Sequence, residues 1–300
     1  MSVPPDSIRV ALPTQCALGE GLHWDDRRGL LWFVDVYGPH VFWFNPDTQE
    51  SGKRALSEPV GWVLSLHGSD NVLVGLKSGI ALLNVFNDSA QIEWVDRRFP
   101  ANVDHRLNDA KADKEGRLWY GSVSAVDESQ PVGRLASYAF GDAAPVVIDD
   151  GYKVTNGPAF DRDCSVMLHN DSGRRITYRF DINPETGAAT HRAVWRQFDE
   201  DEGCPDGMCF DSDGCVWIAH WGAGCVCRYD LDANRLLTIQ MPATNVTNVC
   251  FAGRDMSRMF VTSASRGLND AQVNAEHSAG ALFEVFGVNV HGLPSWRPRI

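Results

Sequence analysis

Short apolar runs recur along the whole chain, separated by polar turns. Six of them are alike: LWFVD at 31–35, VLVGL at 72–76, LWYGS at 118–122, VMLHN at 166–170, VWIAH at 216–220 and MFVTS at 259–263. Their length and apolar density fit buried β-strands, and helical periodicity is absent. The second residue of each serves as a marker: Trp32, Leu73, Trp119, Met167, Trp217 and Phe260. Successive markers are 41, 46, 48, 50 and 43 residues apart, the length of a four-stranded propeller blade. Turns rich in Asp and Gly precede the markers, as in Asp113-Lys114-Glu115-Gly116 and Asp211-Ser212-Asp213-Gly214. Alternating third strands follow, such as HVFWF at 40–44 and CVCRYD at 225–230. The pattern predicts an all-β, six-bladed propeller occupying residues 1–300 as one domain. An open ring exposes strand edges, so IRVAL at 8–12 is expected to close the last blade. A β-sandwich is the alternative, but it requires no repeat period.

The same register points to a site. Eleven residues before Trp119, Met167 and Trp217 stand Asn108, Asn156 and Asp206; twelve before Trp32 and Phe260 stand Glu20 and Asn248. The second blade departs, with Trp62 eleven before Leu73. Inner strands of a propeller line its axis, so equivalent positions converge at one height. Carboxylate and amide oxygens are hard donors, suited to Ca²⁺, Mg²⁺ or Mn²⁺. The bland alternative is turn chemistry, because Asn-Gly and Asp-Gly pairs are ordinary turn formers.

Composition narrows the picture. The net charge is −12 with no cluster of Lys and Arg, which argues against nucleic acid. No apolar run reaches the ~20 residues that span a bilayer. The N-terminal stretch lacks the basic and apolar regions of a secretory signal, so the cytoplasm is the expected location. The 8 cysteines include no CxxC pair, and they read as small buried thiols rather than disulfides or a zinc site. Asn245-Val246-Thr247 is a glycosylation sequon, relevant only in a secreted chain. A GxSxG nucleophile elbow is absent.

The segments LGEGLHWD (18–25), RLNDAKADKEGRLWYGS (106–122), TNGPAFD (155–161), PDGMCFDSDGCVWIAHWGAG (205–224) and NVTNVCFAG (245–253) resemble the regucalcin/gluconolactonase (senescence marker protein) family. Their layout is most similar to bacterial aldonolactonases such as xylonolactonases. The resemblance implies metal-dependent hydrolysis of an aldonolactone, such as a glucono-, xylono-, arabinono- or galactonolactone. It implies one divalent cation (Ca, Mn, Mg, Zn or Fe) held by Glu20, Asn156 and Asp206. By the same carry-over Asp206 is the general base, Arg106 binds substrate oxygens, and Asn108 contacts substrate or water at the metal. A sugar-binding Glu of some animal members would fall near Val126, beside Asp127 and Glu128. If the segment is an extended strand, Arg106 and Asn108, two apart, face the same side. Two other readings remain: a metal-dependent esterase or phosphotriesterase-like hydrolase, and a non-catalytic calcium-binding propeller.

Overall fold

The computed structural model describes residues 7–87, 89, 91–97 and 104–300. Among these lie six four-stranded antiparallel sheets. In five of them the strands lie side by side in chain order. The sixth runs Ile8–Leu12, Leu282–Val285, Arg258–Ser263, Val246–Ala252 from outside to inside. The N-terminal strand therefore pairs with the last strand, Ile8 opposite Val285, as the closure argument expects. The inner strands of blades one to six are Gly19–Asp25, Val60–Ser65, His105–Ala112, Thr155–Phe160, Cys204–Phe210 and Val246–Ala252. Each packs on its two neighbours, and the sixth returns to the first. The chain is a closed six-bladed β-propeller.

The markers hold the blades together. All six are fully buried in the second strands of their blades. Trp32 packs with Val60, Val63 and Val72 of blade two. Trp119 packs with Phe160 and Met167 of blade four, and Trp217 with Val249, Phe251 and Val261 of blade six. Truncating such an aromatic to Ala typically costs about 3–5 kcal/mol. The turns are tied to these anchors. Asp113 accepts the backbone N–H groups of Glu115 and Arg117, each at 3.0 Å, and the Trp119 indole N–H at 2.9 Å. Asp211 repeats the arrangement with Asp213, Cys215 and the Trp217 indole. The turn Asp thus both shapes the hairpin and orients the marker Trp.

The C-terminal segment straps one end of the axis. Ser212 N–H donates to His291 O at 2.7 Å in blade five, Arg297 Nη2 to Asp25 in blade one at 3.2 Å, and Arg299 N–H to Gly116 O in blade three at 3.1 Å. Leu293, Pro294 and Trp296 floor a small axial cavity of about 80 Å³. Among the described residues the one α-helix is Asp270–Ala275, and no helix is long and apolar enough to cross a membrane. All eight cysteines are free thiols, six of them buried. The sequon residue Asn245 is 3% exposed, and its amide donates to Arg266 O at 2.8 Å.

Candidate functional site

At the end of the axis opposite the strap, all six inner strands break register at one level. The irregularities fall between Glu20 and His23, Val60 and Trp62, Leu107 and Ala110, Asn156 and Ala159, Pro205 and Met208, and Val246 and Asn248. A bulge bends a strand and re-aims its side chains. Two bulges contain a glycine at positive φ, Gly21 (64°) and Gly157 (83°), a backbone that L side chains rarely adopt. A Cβ on Gly207 would lie 2.3 Å from the Asn248 amide, so glycine lets blades five and six close up here.

These bulges bring the sequence-predicted residues together. Glu20, Arg106, Asn108, Asn156 and Asp206 all line one cavity of about 360 Å³. They are 4–7% exposed. Asn108 Nδ2 donates to Asn156 Oδ1 at 2.8 Å and also to Thr155 O. Asn156 Nδ2 donates to Ser172 Oγ at 2.9 Å, so both ends of its amide are held. Asn248 Nδ2 donates to Glu20 Oε2 at 3.1 Å. Blade two contributes no donor. Trp62 turns outward into an apolar cluster with Leu107 and Tyr120 of blade three.

Arg106 and Asn108 do meet, but not along a regular strand. The register shifts between Leu107 and Ala110, and Arg106 Nη1 donates to Asn108 Oδ1 across that bulge. Of the acidic residues beside Val126, Glu128 is the one at the cavity. It lines the cavity and accepts from Arg106 Nη2 at 3.2 Å. Asp127 points to its own turn, accepting from Ser129 and Gln130.

The sequence reading missed Asp109. It is 1% exposed and accepts the N–H of Gly157 at 3.0 Å and of Ala110 at 2.8 Å. On a regular strand only one of two consecutive residues faces the axis; the bulge at 107–110 lets both Asn108 and Asp109 turn inward. Ser172, which opens the short 3-10 helix Ser172–Arg174, and Tyr37 and Arg266, on loops, were missed as well, because these segments carry no repeat signal.

The electrostatics are those of a crowded acid cluster. Burial pushes the Glu20 carboxyl up to about 8, and the nearby Asp109 charge adds to the shift. Asp206 is pushed well above the usual carboxylate range by burial first, then by Glu20 and Asp109. Asp109 is raised too, mainly by burial. Buried carboxyls that oppose one another's ionisation are relieved by a nearby positive charge. Two oxygens add to this: Asp206 Oδ1 and Asn248 Oδ1 are buried without a hydrogen-bond partner. Such orphans are costly unless a ligand, ion or water satisfies them. Among the described residues no group of three or more His, Cys, Asp or Glu side chains is spaced to hold a metal. The donor set that fits is mixed, with two carboxylates and the amide oxygen of Asn156.

Known proteins share this architecture. The chain is 30% identical to regucalcin of Oryctolagus cuniculus, over 96% of this chain and 97% of that one. It is 28% identical to YvrE of Bacillus subtilis, a protein named as a sugar lactone lactonase, covering 90% and 91% of the two chains. The solved luciferin-regenerating enzyme superposes with a TM-score of 0.90 at 27% identity, covering 98% of this chain and 99% of that one. The family model described as the SMP-30/Gluconolactonase/LRE-like region matches residues 18–265. With that match spanning the ring from Glu20 to Asn248, the chain belongs to the SMP-30/gluconolactonase family.

Proposed function

We propose that the chain hydrolyses a sugar lactone to the aldonic acid, using one divalent cation held by Glu20, Asn156 and Asp206. The observation that carries this reading is the oxygen-lined floor of the cavity, with the unpartnered Asp206 Oδ1 among its donors. The cation would supply Lewis-acid polarisation of the lactone carbonyl. The rest falls to the chain's own groups.

Asp206 is the general base. Its free oxygen accepts a proton from the attacking water and returns it to the ring oxygen as the acyl C–O bond breaks. The products are a carboxylic acid and a hydroxyl, so atoms balance with water as the only co-reactant. A cation on the floor would oppose the upward pull of burial and of Glu20 and so favour the ionised form of Asp206. Asn108 orients Asn156 through the 2.8 Å hydrogen bond. Arg106 offers sugar hydroxyls a guanidinium that cannot lose its charge. Its Nε is buried without a partner, a donor still available inside the cavity wall. Aldonolactones such as glucono-, xylono-, arabinono- and galactonolactone are the substrate class in this reading, and the cytoplasm its setting.

The test is pH-stat hydrolysis of an aldonolactone panel by chelated and by remetallated protein. Activity should disappear on chelation and return with Ca²⁺, Mn²⁺, Mg²⁺, Zn²⁺ or Fe²⁺ to different degrees. Full activity in a preparation shown metal-free by elemental analysis overturns the cation's role. Tight cation binding with no turnover of any lactone would instead favour a non-catalytic propeller, and turnover of simple esters alone would favour an esterase.

A further inference from the structure

Above the ring, three loops from three blades meet at one carboxylate. Tyr37 follows the second strand of blade one, Glu128 follows that of blade three, and Arg266 follows that of blade six. Tyr37 Oη donates to Glu128 Oε1 at 3.3 Å. Arg106 Nη2 and Arg266 Nη1 donate to the same oxygen at 3.2 and 3.5 Å. Both guanidiniums also lie over the Tyr37 ring, Arg266 at 4.2 Å and Arg106 at 5.6 Å from its centroid. Two cations and one anion leave this clasp with a surplus positive charge.

Exposure orders these groups by depth. Arg106 is 4% exposed, whereas Glu128 is 39% and Arg266 47% exposed. Arg106 therefore reaches the part of a ligand near the floor, and Arg266 the part farthest from it. Arg266 is held at its base and free at its tip. Its N–H donates to Ala17 O at 2.9 Å, and its carbonyl accepts from Asn245 at 2.8 Å. Among the described residues its guanidinium's hydrogen-bond and ring contacts are the Glu128 oxygen, at a long 3.5 Å, and the Tyr37 ring. A planar fork with spare N–H donors, stacked on an aromatic face, is pre-organised for an oxygen acceptor.

We infer that Arg266 is a specificity-determining residue that binds oxygen substituents on the exocyclic tail of a lactone, and that Tyr37 positions it. The inference rests on the lactonase reading: with the ring carbonyl at the floor, the tail is what reaches the rim. Tyr37 acts through Arg266, by stacking beneath its guanidinium and by holding Glu128 beside it.

The test compares D-glucono-γ-lactone, which carries a dihydroxyethyl tail, with L-threono-γ-lactone, the ring with the same C2 and C3 configuration and no tail. The readouts are KM and kcat of the fully metallated protein. Arg266→Ala should raise KM for the tailed lactone roughly tenfold to a hundredfold, the worth of a hydrogen bond from a charged donor. It should leave kcat, and both parameters for the tailless lactone, within about twofold. Arg266→Lys should recover little, because an ammonium cannot copy a stacked fork. Tyr37→Ala should raise the tailed KM less in the Arg266→Ala background than in the wild type, while Tyr37→Phe, which keeps the stacking face, should recover most of the effect. Equal losses on both lactones, or a change in kcat alone, overturn the inference and leave the lactonase reading intact. A wild-type protein that hydrolyses neither lactone, nor any other in the panel, overturns both.

Discussion

Blades two and five use the same position of the repeat in opposite ways. In blade five the inner strand presents Asp206 to the axis, buried and with one oxygen unpartnered. In blade two the equivalent residue, Trp62, is fully buried away from the axis, and its ring lies over Gly75, where a Cβ would come within 2.1 Å. The backbone at Gly61 instead packs against blade three, with the Leu107 carbonyl 2.2 Å from where a Cβ would sit. Blade five thus places a desolvated charge where it can bind or react. Blade two places apolar area where it stabilises. A ring of six identical polar positions would concentrate buried charge without the packing to offset it, so one sector of pure packing beside five polar sectors is a physically sensible division.

The largest effect should come from the charged side. Asp206→Ala removes a proposed ligand and the proposed base together, and lactone turnover should fall at least about 10²–10⁴-fold, the usual range for loss of a general base. Thermal stability of the metal-free protein should not fall, because the lost acid has one oxygen buried without a partner and is crowded by the Glu20 and Asp109 carboxyls. A variant that retains more than about a tenth of kcat with the cation bound, measured by titration calorimetry, would remove Asp206 from the base role.

Trp62→Ala tests the packing side. It should cost about 3–5 kcal/mol in denaturant unfolding and leave turnover per folded molecule close to wild type. A selective loss of turnover with little loss of stability would mean that blade two takes part in the site after all.

Arg106→Ala should lower kcat/KM on hydroxylated lactones roughly tenfold to a hundredfold, the loss expected for a charged hydrogen-bond donor. Plain butyrolactone should be much less affected. Equal losses on both would assign Arg106 to supporting Asn108 and the fold.

The smallest effect is a pH drift that should belong to the acid cluster alone. Glu20 titrates higher folded, at about 8, than its usual 4.5, so the folded state favours its neutral form. That contribution is fully present below about 4.5 and is lost as pH rises through about 8. Chelated protein should therefore lose roughly a few degrees of Tm across that window, and saturating cation should abolish the drift. Asp109→Asn should flatten it by removing the neighbouring charge that adds to the Glu20 shift. Trp62→Ala should lower Tm at every pH with the slope unchanged. A slope that shifts in the Trp62 variant would show that the two blades are coupled.

Some of this site was legible from local patterns. Glu20, Asn108, Asn156 and Asp206 could be found by counting back from the markers, because equivalent positions of a repeat share a height on the axis. Trp62 stood out for the same reason. Asp109 could not be found that way: counting assumes alternation of faces, and the bulge at Leu107–Ala110 suspends it. Glu128 was within two residues of the expected place, but only its tertiary contacts with Arg106, Tyr37 and Arg266 separate it from Asp127.

What the sequence by itself determined is everything that repeats: blade number, the strands that carry the markers, the closing role of Ile8–Leu12, and the register of the oxygen donors. These depend on hydrophobic periodicity and spacing, which are local properties of the chain. The tertiary structure alone decided the clasp of Tyr37, Glu128 and Arg266, the strap formed by the C-terminal segment, and the charge coupling of Glu20, Asp109 and Asp206. Each joins residues from separate blades. Residues 37 and 266 are brought together only when the ring closes, because a contact between blades one and six depends on the curvature summed over all the blades between them.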